Sequence, residues 1–210
     1  VINFFRFINK FMFHVLGKYY WNKWFYSRNK KYIFEPKNGL SGKICASAMI
    51  LNEINIKKAR KNLIETQGCI KHTFNDFILT LIAQGLIFFM KDHMHLTDNE
   101  IPNEVTIIQP VNMRPFYENF KYETIFGNYV GNYNITLPLS PHISFIERLN
   151  IIKNRVDYCK SIHEAYYASG LLKHVYSKLS KKIYQWFLIN ATKIEPVLIS
   201  GFKVYNKLEW

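Results

Sequence analysis

Acidic residues are scarce in this sequence. Against 28 Lys and Arg, its 210 residues hold 15 Asp and Glu, a formal net charge of +13. No acid occurs in residues 1–34, and none between Glu164 and Glu195. Such a balance favours an anionic partner: nucleic acid, a lipid surface or a phosphate-bearing ligand. Cysteine is scarce too. Cys45, Cys69 and Cys159 are widely spaced and form no CxxC pair. That argues against a disulfide framework or a zinc site and fits a reducing compartment. The histidines, His14, His72, His93, His95, His142, His163 and His174, are all isolated, so no His-His pair exists. Repeats and low-complexity linkers are absent.

What is present is apolar and aromatic. Hydrophobic residues make up 49% and aromatics 17%, enough for a sizeable core. One domain is the default at this length, with two small subdomains as the alternative. The chain begins with Val1 rather than Met, which is expected of a fragment or a processed product.

One stretch organises the rest. From Phe77 to Met90 only Thr80, Gln84 and Gly85 interrupt the apolar residues. A run of roughly 10–14 such residues reads as a buried core helix rather than a span. Being apolar nearly all round, it predicts a helix packed on several sides. Thr73 can cap it, with Asp76 at the third position in a capping-box-like arrangement. Asn75 and Asp76 therefore have two readings, a cap or a functional entrance.

Residues 1–35 form a basic aromatic segment. Arg6, Lys10, Lys18, Lys23, Arg28, Lys30 and Lys31 alternate with Phe, Tyr and Trp. Asn3, Arg6, Lys10, His14 and Lys18 fall at helical spacing and predict one polar stripe. Charges recur before about 20 apolar residues accumulate, so this segment is neither a signal peptide nor a full span. It fits a membrane-surface helix, a helix docked on another part of the protein, or a nucleic-acid contact. No recognised nucleic-acid module supports the last.

Turn chemistry at Pro36-Lys37-Asn38-Gly39 and Ser41-Gly42 opens a second region, residues 36–210. Ile44–Leu51 reads as a strand. A helix is predicted from an Asn55 cap to Thr66, with Ile56, Ala59, Leu63 and Ile64 on its apolar side and Lys57, Lys58, Arg60 and Lys61 opposite. Val105–Val111 reads as a buried strand. A further strand region is 127–139, where Gly127 and Gly131 suggest close backbone approach or a bulge. Helices follow from about Ser144 and around Leu171–Phe187, and Pro196–Val204 reads as two short strands. His93, His95 and Asp98 have no third His or Cys nearby and read as a solvated helix end, so no metal is expected.

Several of these stretches resemble one family. Thr73-Phe74-Asn75-Asp76-Phe77-Ile78-Leu79 is similar to the Asn-Asp-Val motif that opens a buried helix in the wax ester synthase/diacylglycerol acyltransferase family. Pro110-Val111-Asn112-Met113-Arg114 looks like its Pro-Val-x-x-Arg strand end. Gly127-Asn128 with Leu137-Pro138, then Glu147-Arg148-Leu149 with Ile152, and Pro196-Val197 with Gly201 follow in the family's order over roughly residues 40–205. The likeness is to the C-terminal half of the family, which belongs with the chloramphenicol acetyltransferase-like, CoA-dependent acyltransferases.

The resemblance implies an α/β fold: a two-layer mixed sheet with packed helices, incomplete at both ends. It implies part of an O-acyltransferase that moves a fatty acyl group from acyl-CoA to a long-chain alcohol or diacylglycerol. Acyl-CoA is then a co-substrate, and no cofactor is implied. The family's chemistry rests on a His-His-x-x-x-Asp-Gly motif, whose second His is the general base. That motif does not occur here, so the base is expected upstream of Val1, in an N-terminal half that would be a partner of this region, and the chain alone is expected to be inactive. Asn75, Asp76, Pro110, Arg114, Gly127 and Asn128 are the implied channel or structural positions. Asn75 would orient an acceptor hydroxyl or an oxyanion, Asp76 would fix a backbone turn, and Arg114 would pair with a carboxylate. An intracellular, membrane-associated location follows, at the endoplasmic reticulum or a lipid-droplet surface. The rival is a non-catalytic lipid-binding or membrane-surface protein that retains the half-fold.

Overall fold

The computed structural model describes residues 2–11, 53–67, 72–113, 129–174, 178–183, 185 and 197–198. Among these, five helices and three strands follow in order: α1 (Ile2–Phe11), α2 (Glu53–Gln67), α3 (Phe74–Asp92), β1 (Glu104–Asn112), β2 (Val130–Pro138), α4 (Phe145–Ser161), α5 (Glu164–His174) and β3 (Val197–Leu198). The predicted strand Ile44–Leu51 lies outside the described residues, as do His14 and Lys18 of the N-terminal stripe.

The sheet has the order β2–β1–β3. Met113 N donates to Tyr129 O and Leu139 N to Asn103 O, which makes β1 and β2 antiparallel. β3 is parallel to β1, with Ile107 opposite Val197 and Ile108 opposite Leu198. The combination of helices and a small sheet is compatible with the expected α/β class. Pro110 sits in β1 without cost to the β1–β2 ladder. The residues that bond to β2 are the odd-numbered ones, so the nitrogen of Pro110 points the other way, to the side on which β3 lies.

By internal contacts the chain divides into two compact units. One comprises Val1–Tyr20, Thr106–Ile135 and Asp157–Trp210; the other comprises Trp21–Val105 and Thr136–Val156.

In the first unit α1 lies against α5. Phe7 is buried, and its ring meets Tyr167 at 5.6 Å between centroids, while Phe4 meets the same ring edge-on at 5.5 Å. Of the stripe predicted to be polar, Arg6 stays in water but Lys10 turns inward. Helix α5 also begins earlier than predicted, at Glu164 rather than near Leu171. The reversal that allows this is at His163, whose φ of 52° lies in the left-handed region. Gly131 has the close approach expected of it. A Cβ there would stand 2.5 Å from Met113 Sδ and 2.8 Å from the Ala165 carbonyl, so β2 meets the first turn of α5 with no side chain between them.

In the second unit α3 is capped as predicted. It buries Phe77, Leu79, Ala83, Ile87 and Met90. It is not packed all round. Phe74, Leu81, Phe88 and Phe89 are exposed, Phe88 by 57%. By length and composition alone α3 is the one helix among the described residues able to cross a membrane. Asp76 and Gln84 on it are engaged in polar contacts of a protein interior, described below. Helix α2 starts at Glu53, so Asn55 lies inside it rather than capping it. Arg60, predicted on its solvated side, instead donates to the carbonyl of His72.

Helix α4 starts near Ser144 as predicted, with the Ser144 hydroxyl accepting from Glu147 N. Leu149, Ile152 and Val156 are buried at helical spacing. Next to Leu149 is a charge that sequence patterning did not place inside. Arg148 is 1% exposed. Its Nε donates to Pro138 O at 3.1 Å, its Nη2 to Ser140 O at 2.7 Å and its Nη1 to Gln84 Oε1 at 2.5 Å. Burial pushes the guanidinium pKa down, against a smaller upward push from Glu147. One buried cation thus ties α4 to α3 and to the end of β2.

Candidate functional site

The entrance of α3 is a reciprocal capping box. Thr73 is extended, with φ −78° and ψ 163°, and its Oγ1 accepts from Asp76 N at 3.3 Å. Asp76 Oδ2 accepts from Thr73 N at 2.8 Å. These are two of the orphan donors every helix start must satisfy. Thr80 Oγ1 donates to the Asp76 carbonyl at 2.8 Å, which anchors the next turn. Asp76 is 0% exposed and His72, just outside the cap, is buried as well.

The box uses one carboxylate oxygen of Asp76. The other, Oδ1, is buried and accepts no hydrogen bond among the described residues. A buried carboxylate oxygen is an acceptor in want of a donor, and the positive end of the helix dipole favours its negative charge. Asn75 is half-buried in the same turn. This entrance therefore offers acceptor capacity beside an amide.

The other positions singled out by the resemblance fall in different parts of the chain. Asn75 and Asp76 belong to the second unit, while Pro110 lies in β1 in the first. Arg114, Gly127 and Asn128 lie outside the described residues. The loop after α3 has its own local bonds: Lys91 pairs with Asp98 at 2.6 Å, and this hydrogen bond holds the Asp98 carboxyl below the usual range.

A second cluster, in the first unit, escaped sequence reasoning. Lys10 Nζ donates to Glu164 Oε2 at 2.6 Å, to Cys159 Sγ at 3.0 Å and to the Asn134 carbonyl at 3.2 Å. Asn134 N donates to the other oxygen of Glu164 at 3.3 Å. Lys10 and Glu164 are almost buried, with side chains 9% and 5% exposed. Burial pushes the Lys10 ammonium toward deprotonation, but Glu164 and Cys159 together outweigh it, and the pKa is raised. The Cys159 thiol is pushed up to about 12 by burial, with Glu164 adding to the effect. A thiol that stays protonated is a poor nucleophile. The cluster is an ion-pair clamp on α1, not a site of cysteine chemistry. No periodicity marks it, because Lys10 sits on a face that reads as polar.

These shifts set an alkaline limit. In the unfolded chain the thiol ionises near its ordinary 9.0, whereas in the fold it holds its proton to about 12. The unfolded state therefore gains as pH rises between those values. Lys10, raised above 10.5, contributes stability that is complete below 10.5 and lost as pH rises through its folded value. The melting temperature is expected to stay level from neutral pH to about 9.0 and to fall toward about 12. Cys159→Ala should remove the early part of that fall. A melting curve for Cys159→Ala that declines with the same onset as the wild type would refute the account.

Comparison with protein-family models, with curated proteins and with solved structures finds no match to this chain.

Proposed function

We propose that this chain is the C-terminal, acyltransferase-like part of an enzyme that transfers a fatty acyl group from acyl-CoA to a long-chain alcohol or diacylglycerol. The finer fold proposed is that of a CoA-dependent acyltransferase subdomain, completed by an N-terminal half that carries the histidine base. The observation that carries this reading is the entrance of α3: Asn75 and a buried Asp76 with an uncommitted oxygen, at the mouth of an apolar helix. An alcohol hydroxyl is the donor that Oδ1 lacks. The apolar strip through Phe74, Leu81 and Phe88 runs about 21 Å at 1.5 Å per residue, a reach suited to a long acyl chain. The motif order over residues 40–205 supports the same reading, and the net charge of +13 suits CoA phosphates and anionic lipid. We place the protein at an intracellular membrane or lipid-droplet surface.

The second reading is a lipid-binding or membrane-surface protein without catalysis. The isolated histidines favour it. An assay with labelled acyl-CoA and hexadecanol or diacylglycerol separates the two. The 210-residue chain alone should give no ester. Joined to a half bearing His-His-x-x-x-Asp, it should. In that protein Asn75→Ala should lower the rate about 100-fold, as loss of an oxyanion-type donor does. Its cost in stability should be near the ~1 kcal/mol of a lost cap contact. Earlier melting with unchanged turnover would leave Asn75 a structural role only, and absence of ester from the two-half protein would favour the second reading.

A further inference from the structure

Helix α1 has two apolar sides, and only one is used. Phe7 and Phe4 meet Tyr167 and Lys10 enters the clamp with Glu164, so that side is fixed to the protein. Around the helix, Ile2, Phe5, Arg6 and Asn9 share the other side, and all four are exposed. Ile2 is 70% and Phe5 64% in solvent. The clamp removes Lys10, the central cation of the predicted stripe, from any outside contact. What remains outward is Ile2 and Phe5 beside one guanidinium, with Phe4 partly in solvent as well.

We infer that this face, Ile2, Phe5 and Arg6, seats the protein on an anionic lipid bilayer. The proposal rests on the membrane contact suggested above and assigns it to a face of α1 that keeps Arg6 of the predicted stripe but not Lys10. Charge supports the choice of partner. α1 has no acidic residue, and the acid its Lys10 meets, Glu164, is neutralised by that contact. The same unit exposes Lys178, Lys181 and Lys182, with Ile183 52% in solvent next to them in sequence. A bilayer interface accepts both kinds of group at once: the guanidinium meets lipid phosphate while Ile2 and Phe5 enter the boundary between headgroups and acyl chains. A nucleic acid would satisfy the cations but give Ile2 no apolar environment.

The test is flotation of the purified chain with vesicles of phosphatidylcholine, alone or mixed with phosphatidylserine. It needs no acyl transfer, so it is independent of the catalytic reading. The wild type is expected to float with the mixed vesicles at low salt and much less with phosphatidylcholine alone. A joint Ile2→Ser and Phe5→Ser change should weaken binding at least about tenfold, since partial burial of two such side chains is lost. Arg6→Glu changes the charge by two and should weaken it about 25-fold, at about fivefold per charge near the surface. Both variants touch solvent-exposed positions, and unchanged circular dichroism would confirm that they fold. Variants that float like the wild type would overturn the assignment of the face while leaving membrane contact standing. A wild type that stays soluble, or that binds a single-stranded oligonucleotide and not vesicles, would overturn both.

Discussion

Arg148→Ala is expected to lower the stability of the fold by about 3–5 kcal/mol, from acceptors left unpaired together with the cavity that remains. The guanidinium is 1% exposed and bonds three acceptors at once, the carbonyls of Pro138 and Ser140 and the side chain of Gln84. Removing it strips the donor from the buried Pro138 carbonyl and from the half-buried Ser140 and Gln84, at about 1–3 kcal/mol for each acceptor that stays unpaired. A cavity adds to the loss. Native domains hold only about 5–15 kcal/mol in all, so this is a large share. Arg148→Lys should recover little, because one ammonium cannot reproduce a planar fork that reaches three directions. Gln84→Ala removes a single partner and should cost about 1–2 kcal/mol. Urea denaturation of the three variants measures the order. An Arg148→Ala protein within about 1 kcal/mol of wild type would show that the buried cation is dispensable.

Glu164→Leu is the second large effect, expected at about 3–5 kcal/mol. It leaves the Lys10 ammonium buried against the Asn134 carbonyl, the Cys159 thiol and the Tyr158 ring, with no counter-charge among the ion pairs described. The double change, Lys10→Met with Glu164→Leu, should regain most of the loss. Taking out both charges removes the desolvation cost as well as the attraction. By contrast the exposed pair Lys61–Glu65, at 3.5 Å on α2, should be worth a few tenths of a kcal/mol. A double-mutant cycle in chemical denaturation reads the coupling. If Glu164→Leu alone is as stable as the wild type, the clamp does not hold α1.

Both large effects come from charges whose inward placement the sequence does not announce. The cap at Thr73 and Asp76 is visible in the sequence because it is complete within four residues. The face of α4 is visible because helical spacing alone puts Leu149, Ile152 and Val156 on one side. Gly131 is visible because only a missing side chain permits so close an approach. Lys10 and Arg148 differ. Each is stabilised by groups distant in sequence, so a local pattern assigns them to solvent. The exposed face of α3 is hidden for the converse reason: composition tells that a helix is apolar, not which neighbours it finds. At the candidate site the same division holds. The box that orients Asp76 is local, while the uncommitted state of its Oδ1 depends on what the fold brings nearby.

The clamp also has a consequence for how the protein is made. Lys10 and Glu164 are 154 residues apart. At ordinary synthesis rates that separation corresponds to about 8–30 s. Through that interval α1 has left the ribosome, but its clamp acid and Tyr167 do not yet exist. Phe4, Phe7 and an unpaired Lys10 are then open to solvent, chaperones or a nearby bilayer. The nascent α1 segment is thus stickier than the folded one. Its greasier side is available to a membrane first and to the protein's own core only once Glu164 and Tyr167 have been made.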